Sequence, residues 1–354
     1  MSSTPLQSQQ ITFTRFIAAI TIVFFHFGGD LEYINNPIFL PIKQYGNLGV
    51  SYFFLISGVI MSLVYSNKVK LSKAFFRDFY IIRLSRVYPI YLFSLIVVIF
   101  FTKYFWRSQL DLSEILFSVF LIQSWVPGKE LTLNFPGWSL SVEIFFYLFF
   151  PFLILFFRKI GNRKTYMVSF IIWFITQGVF ICYFTEGSHL LYNPIMHSGT
   201  FIIGAAFGIF LKSNADRLTF IPPNIWAVLL IISTLSFVAI IYNAPAWLAL
   251  SHNGLLSPLF LIITMSLCLD RKSIGRAFKI PLAVFLGNIS YGIYIYQYPV
   301  KIFTSYINDK FGLRNWNAYH FYYFLVMLLI VASLSFIVLE SPIRDRVKKL
   351  INYT

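Results

Sequence analysis

Residues 138–157 read WSLSVEIFFYLFFPFLILFF, a run of 20 residues in which Glu143 is the one charged side chain. An α-helix rises about 1.5 Å per residue, so roughly 20 residues cross the approximately 30 Å of hydrocarbon in a bilayer. The run therefore predicts a transmembrane helix, and the fold class depends on whether the rest of the chain repeats this pattern.

The rest of the chain does repeat it. Of its 354 residues 58% are hydrophobic and 12% are charged, and its mean hydropathy is +0.73, whereas about a quarter of the residues in a soluble domain are charged. Lipid must solvate this apolar excess. We predict an all-α, polytopic membrane bundle of about ten transmembrane helices, a single domain over 1–354, with crossings near 11–28, 47–66, 87–105, 138–157, 166–184, 194–211, 221–242, 253–269, 280–300 and 318–339.

A further apolar segment, 113–126, is short and is followed by the turn signal Pro127–Gly128. If it crossed the bilayer, the basic run from Arg158 to Lys164 would lie outside the cell. We therefore expect a re-entrant or interfacial segment, which is tolerated where protein or water surrounds it.

The basic residues predict the orientation. The formal net charge of +15 would suggest nucleic acid for a soluble protein. With the N-terminus inside, 20 of the 28 Lys and Arg residues fall in cytoplasmic loops, 7 lie outside and Arg15 lies in the first crossing. This asymmetry follows the positive-inside rule, places both termini in the cytoplasm and removes the need for a nucleic-acid partner.

The sequence predicts no removable signal segment, no disulfide framework and no thiolate metal site. Cys182 and Cys268 both lie in apolar runs, so we expect neither a disulfide framework nor a thiolate metal site. The first ten residues lack a basic segment and a cleavage site, so the first apolar run is expected to be retained as a helix.

Arg15 and His26 are ionisable residues within the first crossing, where such groups are costly and are candidates for function. They are eleven residues apart, about three helical turns, so they share one face roughly 16 Å apart. Two interpretations remain open. They could serve chemistry, or Arg15 could extend to headgroups while His26 caps a helix end.

Arg83 and Arg86 are spaced i, i+3 before the third crossing, which puts both guanidinium groups on one helical face. Two adjacent guanidinium groups suit a phosphate, which each can bind through two hydrogen bonds. The alternative is a positive-inside cluster that contacts anionic lipid.

Ser139, Glu143 and Tyr147 form a polar stripe at i, i+4 and i+8, and Glu143 is the only acid we place within a full span. A structural pairing with an arginine is the alternative to a functional role. Because Glu143 and His26 both fall toward the outer side, the carboxylate could orient the imidazole as a general base. Acyl transfer and proton-coupled transport would use the same residue types.

Six motifs occur in order and together resemble the membrane-bound acyltransferase family 3, whose bacterial members O-acylate surface polysaccharides, lipopolysaccharide and related glycans. The motifs are Arg15-x10-His26, Gly49-Val-Ser-Tyr-Phe-Phe-Leu-Ile-Ser57-Gly58, Arg83-x-x-Arg86-x-x-Pro89, Trp138-Ser-Leu-Ser-Val-Glu143-x-x-Phe146-Tyr147, Gly287-Asn-Ile-Ser290-Tyr291-x-x-Tyr294 and Glu340-Ser-Pro342.

The resemblance implies a transferase of a bacterial inner (plasma) membrane that uses acyl-CoA, usually acetyl-CoA, as co-substrate without a bound cofactor or metal. The acceptor would be a carbohydrate hydroxyl, free or on a lipid-linked glycan. His26 would be the catalytic histidine, Glu143 the acid beside it, and Arg83 and Arg86 would bind the donor as its thiol arm passes Arg15. The expected supporting residues are Trp138, Ser139, Ser141, Tyr147, Ser290 and Tyr291.

The chain departs from many relatives at Gln297, where they carry a histidine, so no second catalytic histidine is assigned there. Some relatives also carry a fused extracytoplasmic domain, and we expect none here, so the membrane domain or a separate protein would deliver the acceptor. Two other classes remain open, namely a proton-coupled carrier or flippase for a lipid-linked glycan and a non-catalytic membrane scaffold.

Reporter fusions test the predicted topology. A fusion after Lys129 or near Asn193 should report an extracytoplasmic location, and fusions near Asn162 and Asn214 should report the cytoplasm. A cytoplasmic signal at Lys129 combined with an outside signal at Asn162 would mean that 113–126 crosses fully.

Overall fold

The protein is described by a computed structural model over residues 9–31, 36–105, 109–183, 189–245, 248, 253–270, 272, 274–312 and 317–351. Within these residues every regular element is helical, which confirms the all-α prediction. The α-helices are α1 (Gln9–Phe27), α2 (Leu40–Tyr45), α3 (Leu48–Tyr65), α4 (Lys73–Tyr104), α5 (Leu112–Val119), α6 (Gly137–Ile160), α7 (Asn162–Tyr183), α8 (Pro194–Ser213), α9 (Ala215–Phe220), α10 (Pro223–Tyr242), α11 (Ser257–Leu269), α12 (Ile274–Ala277), α13 (Pro281–Lys310), α14 (Asn317–Ser335) and α15 (Ser341–Leu350).

Each of the ten predicted crossings coincides with a helix. In the described part of the chain, eight helices are long and apolar enough to cross a membrane. The other two predicted crossings are α11, which has 13 residues, and α13, which has 30. The buried face of α13 carries polar side chains, including Ser290, Gln297 and several tyrosines, because this helix faces the interior of the bundle.

The segment 113–126 does not form a transmembrane helix. Its helix α5 has eight residues, about 12 Å of rise, and a short 3-10 turn follows at Gln123–Trp125. The hydroxyl groups of Tyr88 and Tyr91 on α4 donate to the carbonyl groups of Val119 and Ser118 at 3.0 and 2.9 Å. The segment therefore packs on the bundle, as expected for a piece that does not cross.

The helix that contains the third predicted crossing begins well before that crossing. We counted Arg83 and Arg86 with the basic residues of the cytoplasmic loop before residue 87, but they lie within α4, which begins at Lys73 and runs for 32 residues. The Ser72 hydroxyl caps its first turn by accepting from the Phe75 amide at 3.2 Å. Hydropathy identifies the apolar middle of a helix but not its ends. It therefore gave no sign that the basic residues before residue 87 belong to the same helix as the apolar residues after it.

A buried acid in a long apolar helix corrects another expectation. Glu143 was expected to be the only acid within a span, but α14 continues through a π-helical turn, Phe336–Glu340, into α15. Glu340 is 4% exposed. The predicted crossing ended at residue 339, one residue before Glu340, whereas the helix runs on through Pro342.

Glycines set the closest helix contacts in the bundle. A Cβ atom added to Gly58 of α3 would lie 2.3 Å from the Phe201 carbonyl oxygen of α8, and one added to Gly204 of α8 would lie 2.3 Å from the Leu55 carbonyl oxygen of α3. Small residues allow such approach in membrane bundles, where van der Waals packing replaces the hydrophobic effect as a driving force. The α3–α8 pair therefore forms a tight part of the scaffold that holds α3 against the interior.

Gly204→Ala should lower the thermal unfolding temperature of the purified protein in detergent, because the added methyl group forces α3 and α8 apart at a cost of about 1–3 kcal/mol. Gly178→Ala on α7 is the matched control, since nothing lies within 4 Å of its added Cβ. Equal unfolding temperatures for the two variants would contradict the packing argument.

Candidate active site

A narrow cavity of about 70 Å³ lies between α1, α3, α4, α6 and α13. It brings together residues that are far apart in the sequence and that the motifs singled out. Its polar lining consists of Arg15, Ser57, Arg83, Arg86, Ser139, Glu143, Tyr147, Tyr291 and Tyr294. The three predicted arginines and Glu143 therefore share one site.

Glu143 is held by neighbouring hydroxyl groups. Its Oε1 atom accepts a short hydrogen bond from the Tyr147 hydroxyl, one turn along α6, and a second from the Ser57 hydroxyl of α3 at 3.3 Å. The i, i+4 stripe predicted on this helix is therefore a hydrogen-bonded pair that fixes the carboxylate at the cavity wall.

Arg83 is buried without an acid partner. Arg83 is 7% exposed, and no carboxylate of the described chain lies within 4 Å of its guanidinium group. Its Nε atom has no hydrogen-bond partner in the described part of the chain. Aromatic rings surround it instead, with the Tyr65 and Tyr147 ring centroids 4.8 and 5.7 Å from its Cζ atom. Such a cation is costly to bury, and the rings offset part of that cost.

Arg15 lies within electrostatic range of two acids, Glu143 and Glu340, and of Arg86. Glu340 is also close enough to Arg86 and Arg344 to interact with them. Its Oε2 atom has no hydrogen-bond partner among the described residues. Glu340 was not among the predicted site residues, although the sequence contained a signal for it in the Glu340-Ser-Pro342 motif. In the structure Glu340 ends a π-helical turn, and such turns occur often at functional sites.

His26 lies beyond the cavity and contacts α13. Its Nδ1 atom is 2.7 Å from Oε1 of Gln297, and Nε2 of Gln297 donates to the Tyr294 carbonyl oxygen at 2.7 Å. A carbonyl oxygen can only accept, so the amide nitrogen of Gln297 must face Tyr294 and its oxygen must face His26. The neutral imidazole therefore carries its proton on Nδ1, which leaves the lone pair on Nε2.

The Gln297 contact places His26 next to one end of the cavity. Tyr294, which lines the cavity, is three residues before Gln297, or less than one helical turn. On its other side the imidazole meets the Phe135 ring edge to face, with centroids 4.9 Å apart. Phe135 lies two residues before Gly137, the first residue of α6, which is the helix that carries Glu143.

The expected pairing of Glu143 with His26 is not present. No hydrogen bond or ion pair joins the two residues, because Glu143 is bound by Tyr147 and Ser57 while Gln297 holds His26. Sequence placed both residues toward the outer side of the bundle, but it could not show that a neutral amide on α13 stands beside the histidine.

The predicted supporting residues differ in how they relate to the cavity. The Tyr291 hydroxyl donates to the Val87 carbonyl oxygen at 2.7 Å, next to Arg86, and the Ser290 hydroxyl donates to Gly287. Trp138 packs against Tyr192 with ring centroids 5.0 Å apart. Ser141 is buried, and its hydroxyl has no partner within the described chain. Of the six predicted supporting residues, Ser139, Tyr147 and Tyr291 line the cavity. Trp138, Ser141 and Ser290 do not line it.

Comparison with known proteins gives a family and distant relatives. The profile of a family described as an acyltransferase domain matches residues 9–338. The chain is 26% identical over 343 residues to a Staphylococcus aureus strain COL protein named "Putative O-acetyltransferase SACOL0978", covering 87% of this chain and 54% of that protein. It is 25% identical over 334 residues to the O-acetyltransferase OatA of S. aureus strain NCTC 8325, covering 85% and 53%.

The chain therefore spans about half the length of the curated relatives it matches. No solved structure matches the chain.

Arg83→Met should raise, or leave unchanged, the thermal unfolding temperature of the ligand-free protein, because it removes a buried cation that has no acid partner. Arg158→Met is the contrasting variant. Arg158 donates to the Ser66 and Val69 carbonyl oxygens beyond the end of α3, at 2.9 and 2.6 Å, so its loss should lower the unfolding temperature. A clear loss of stability in Arg83→Met would make Arg83 a structural residue.

Proposed function

The chain belongs to the acyltransferase family that its residues 9–338 match, and from this premise we propose that it is a membrane O-acetyltransferase. The donor is acyl-CoA, in the simplest case acetyl-CoA, supplied from the cytoplasm. The acceptor is a hydroxyl group of a cell-surface or exported carbohydrate. The relatives' names describe O-acetyltransferases, and the arrangement of charges supports the same chemistry for this chain.

The observation that carries the proposal is the buried Arg83 without an acid partner. Among the described residues that line the cavity, three are arginines and one, Glu143, is an acid. A site with this excess of positive charge is completed by an anion, and guanidinium groups bind phosphate oxygens through paired hydrogen bonds. The phosphates of coenzyme A are anions of this kind, and they enter from the side on which the positive-inside rule places the start of α4.

The cavity leads from these arginines toward His26. Arg83 and Tyr294 both line it, and Tyr294 is three residues before Gln297, the partner of His26. A long, thin thiol arm can follow such a path, whereas a glycan cannot. Because the free volume is small, side chains or helices must move apart when the donor enters.

In the proposed reaction, Nε2 of His26 removes the proton from the acceptor hydroxyl while its oxygen attacks the thioester carbonyl. The new C–O bond forms an ester, the C–S bond breaks, and the proton passes from the imidazolium to the departing thiolate of coenzyme A. Gln297 positions the imidazole by accepting from Nδ1. Glu143 compensates the charge of Arg15 and the neighbouring arginines, which is a different role from the one expected from sequence.

Inverted membrane vesicles that contain the protein and the cell's own glycans test this proposal. Labelled acetyl-CoA supplied on the cytoplasmic face should release coenzyme A and label the glycan fraction. His26→Gln should reduce both signals by about 10²–10⁴-fold, while His189→Gln, an exposed histidine in a short helical turn, should not. A glycan that is translocated without release of coenzyme A would instead identify a carrier or flippase.

Gln297 provides a separate prediction. Gln297→Leu removes the acceptor for Nδ1 and should lower the transfer rate by roughly 10–100-fold, the usual effect of losing a residue that orients a catalytic histidine. Gln297→Glu keeps an acceptor but adds a charge that favours imidazolium, so the acid limb of the pH–rate profile should move to higher pH. An unchanged profile in Gln297→Glu would show that this contact is only structural.

A further inference from the structure

A second, larger cavity borders a different face of α1 and is almost entirely apolar. This lateral groove has a volume of about 620 Å³ and runs between α1, α2, α3, α10, α11 and α12, with walls that include Ile17, Tyr45, Gly49, Ile231, Leu267 and Phe278. Ile231 and Ile17 are about half exposed, so the groove opens to the lipid-facing surface. Its lining extends from Ile274 and Phe278 at α12 to Pro41 and Tyr45 of α2, so the groove runs past the middle of the bundle.

One end of the lateral groove meets a basic cluster. Ile274 and Phe278, at the short helix α12, line the groove. Lys272, Arg276 and Lys279 line an adjoining open pocket. No acid in the described part of the chain forms an ion pair with these three residues.

The basic cluster is held in place by a buried acid. The Asp270 carboxylate accepts from the Gly275 amide at 2.9 Å, and the Gln10 side chain at the start of α1 donates to the Asp270 carbonyl oxygen at 2.6 Å. These bonds fasten α12 to α1, one of the walls of the groove. The cations and the apolar groove are therefore presented together on a fixed part of the bundle.

We propose that this site binds one anionic phospholipid of the cytoplasmic leaflet, with its headgroup phosphate at Lys272, Arg276 and Lys279 and one acyl chain in the lateral groove. Basic pockets between transmembrane helices on the cytoplasmic side suit anionic headgroups. The groove begins beside the basic cluster and has scarcely any polar surface, which suits an acyl chain better than a sugar or a nucleotide. The site borders a different set of α1 residues from the candidate active site and does not depend on the proposed reaction.

The headgroup is tested with phosphatidylglycerol and phosphatidylcholine of identical oleoyl chains. Native mass spectrometry of the purified full-length protein should show retention of phosphatidylglycerol in preference to phosphatidylcholine. The triple variant Lys272→Gln, Arg276→Gln, Lys279→Gln should weaken phosphatidylglycerol binding on the order of 100-fold, because each cation near the surface contributes about a factor of five.

The matched control for the triple variant is Arg346→Gln, Lys348→Gln, Lys349→Gln, which removes the same residue types from the exposed surface of α15 and should bind like the wild type. Equal retention of the two lipids, or equal loss in the two triple variants, would overturn the proposal. Displacement of phosphatidylglycerol by coenzyme A would also overturn it, since the cluster would then belong to the donor path.

The acyl-chain part of the site is tested by filling the groove. Ile231→Trp introduces bulk into the groove and should reduce phosphatidylglycerol binding at least about tenfold. Ile232→Trp is the control, because Ile232 is the next residue of α10, is exposed to a similar extent (54% against 47%) and does not line the groove. The same lipid retention in both variants would show that no chain occupies the groove.

Discussion

Hydrocarbon surrounds the bundle, so a charge inside it must be compensated by the protein, by water or by a ligand. Arg83 depends most on this constraint, because it is buried among Tyr65, Tyr147 and Phe79 and has no acid partner in the described chain. Aromatic faces stabilise a cation only partly. The anionic donor that we propose would supply the missing partner of Arg83.

Helix α13 connects the charged cavity with the histidine. Tyr291 binds the backbone of α4 next to Arg86, Tyr294 lines the cavity, and Gln297 binds His26. Gly287 lets the same helix approach α1, where an added Cβ would lie 2.2 Å from the Thr12 carbonyl oxygen. Helix α13 thus contacts α4 next to Arg86 and also contacts His26, so a shift of α13 would disturb the arginines and the imidazole together.

The sequence predicted which residues lie in the cavity better than it predicted which residues they contact. Periodicity and motif order identified Arg15, Arg83, Arg86 and Glu143, because a polar group in an apolar helix is conspicuous against its surroundings. Partners across helices have no signature in a single sequence, so the Gln297–His26 contact was missed and a Glu143–His26 contact was expected in its place. Glu340 was missed because the predicted crossing ended at residue 339, while the π-helical turn carries the helix onward.

Binding of coenzyme A to the purified protein in nanodiscs, measured by isothermal titration calorimetry, tests the central claim most directly. An ammonium group keeps the charge but lacks the planar fork of a guanidinium group, so Arg83→Lys should weaken binding at least about tenfold. Arg77→Lys should bind like the wild type, because Arg77 is exposed and paired with Asp78 at 2.9 Å. Wild-type affinity in Arg83→Lys would contradict the assignment of the arginine cavity to the donor.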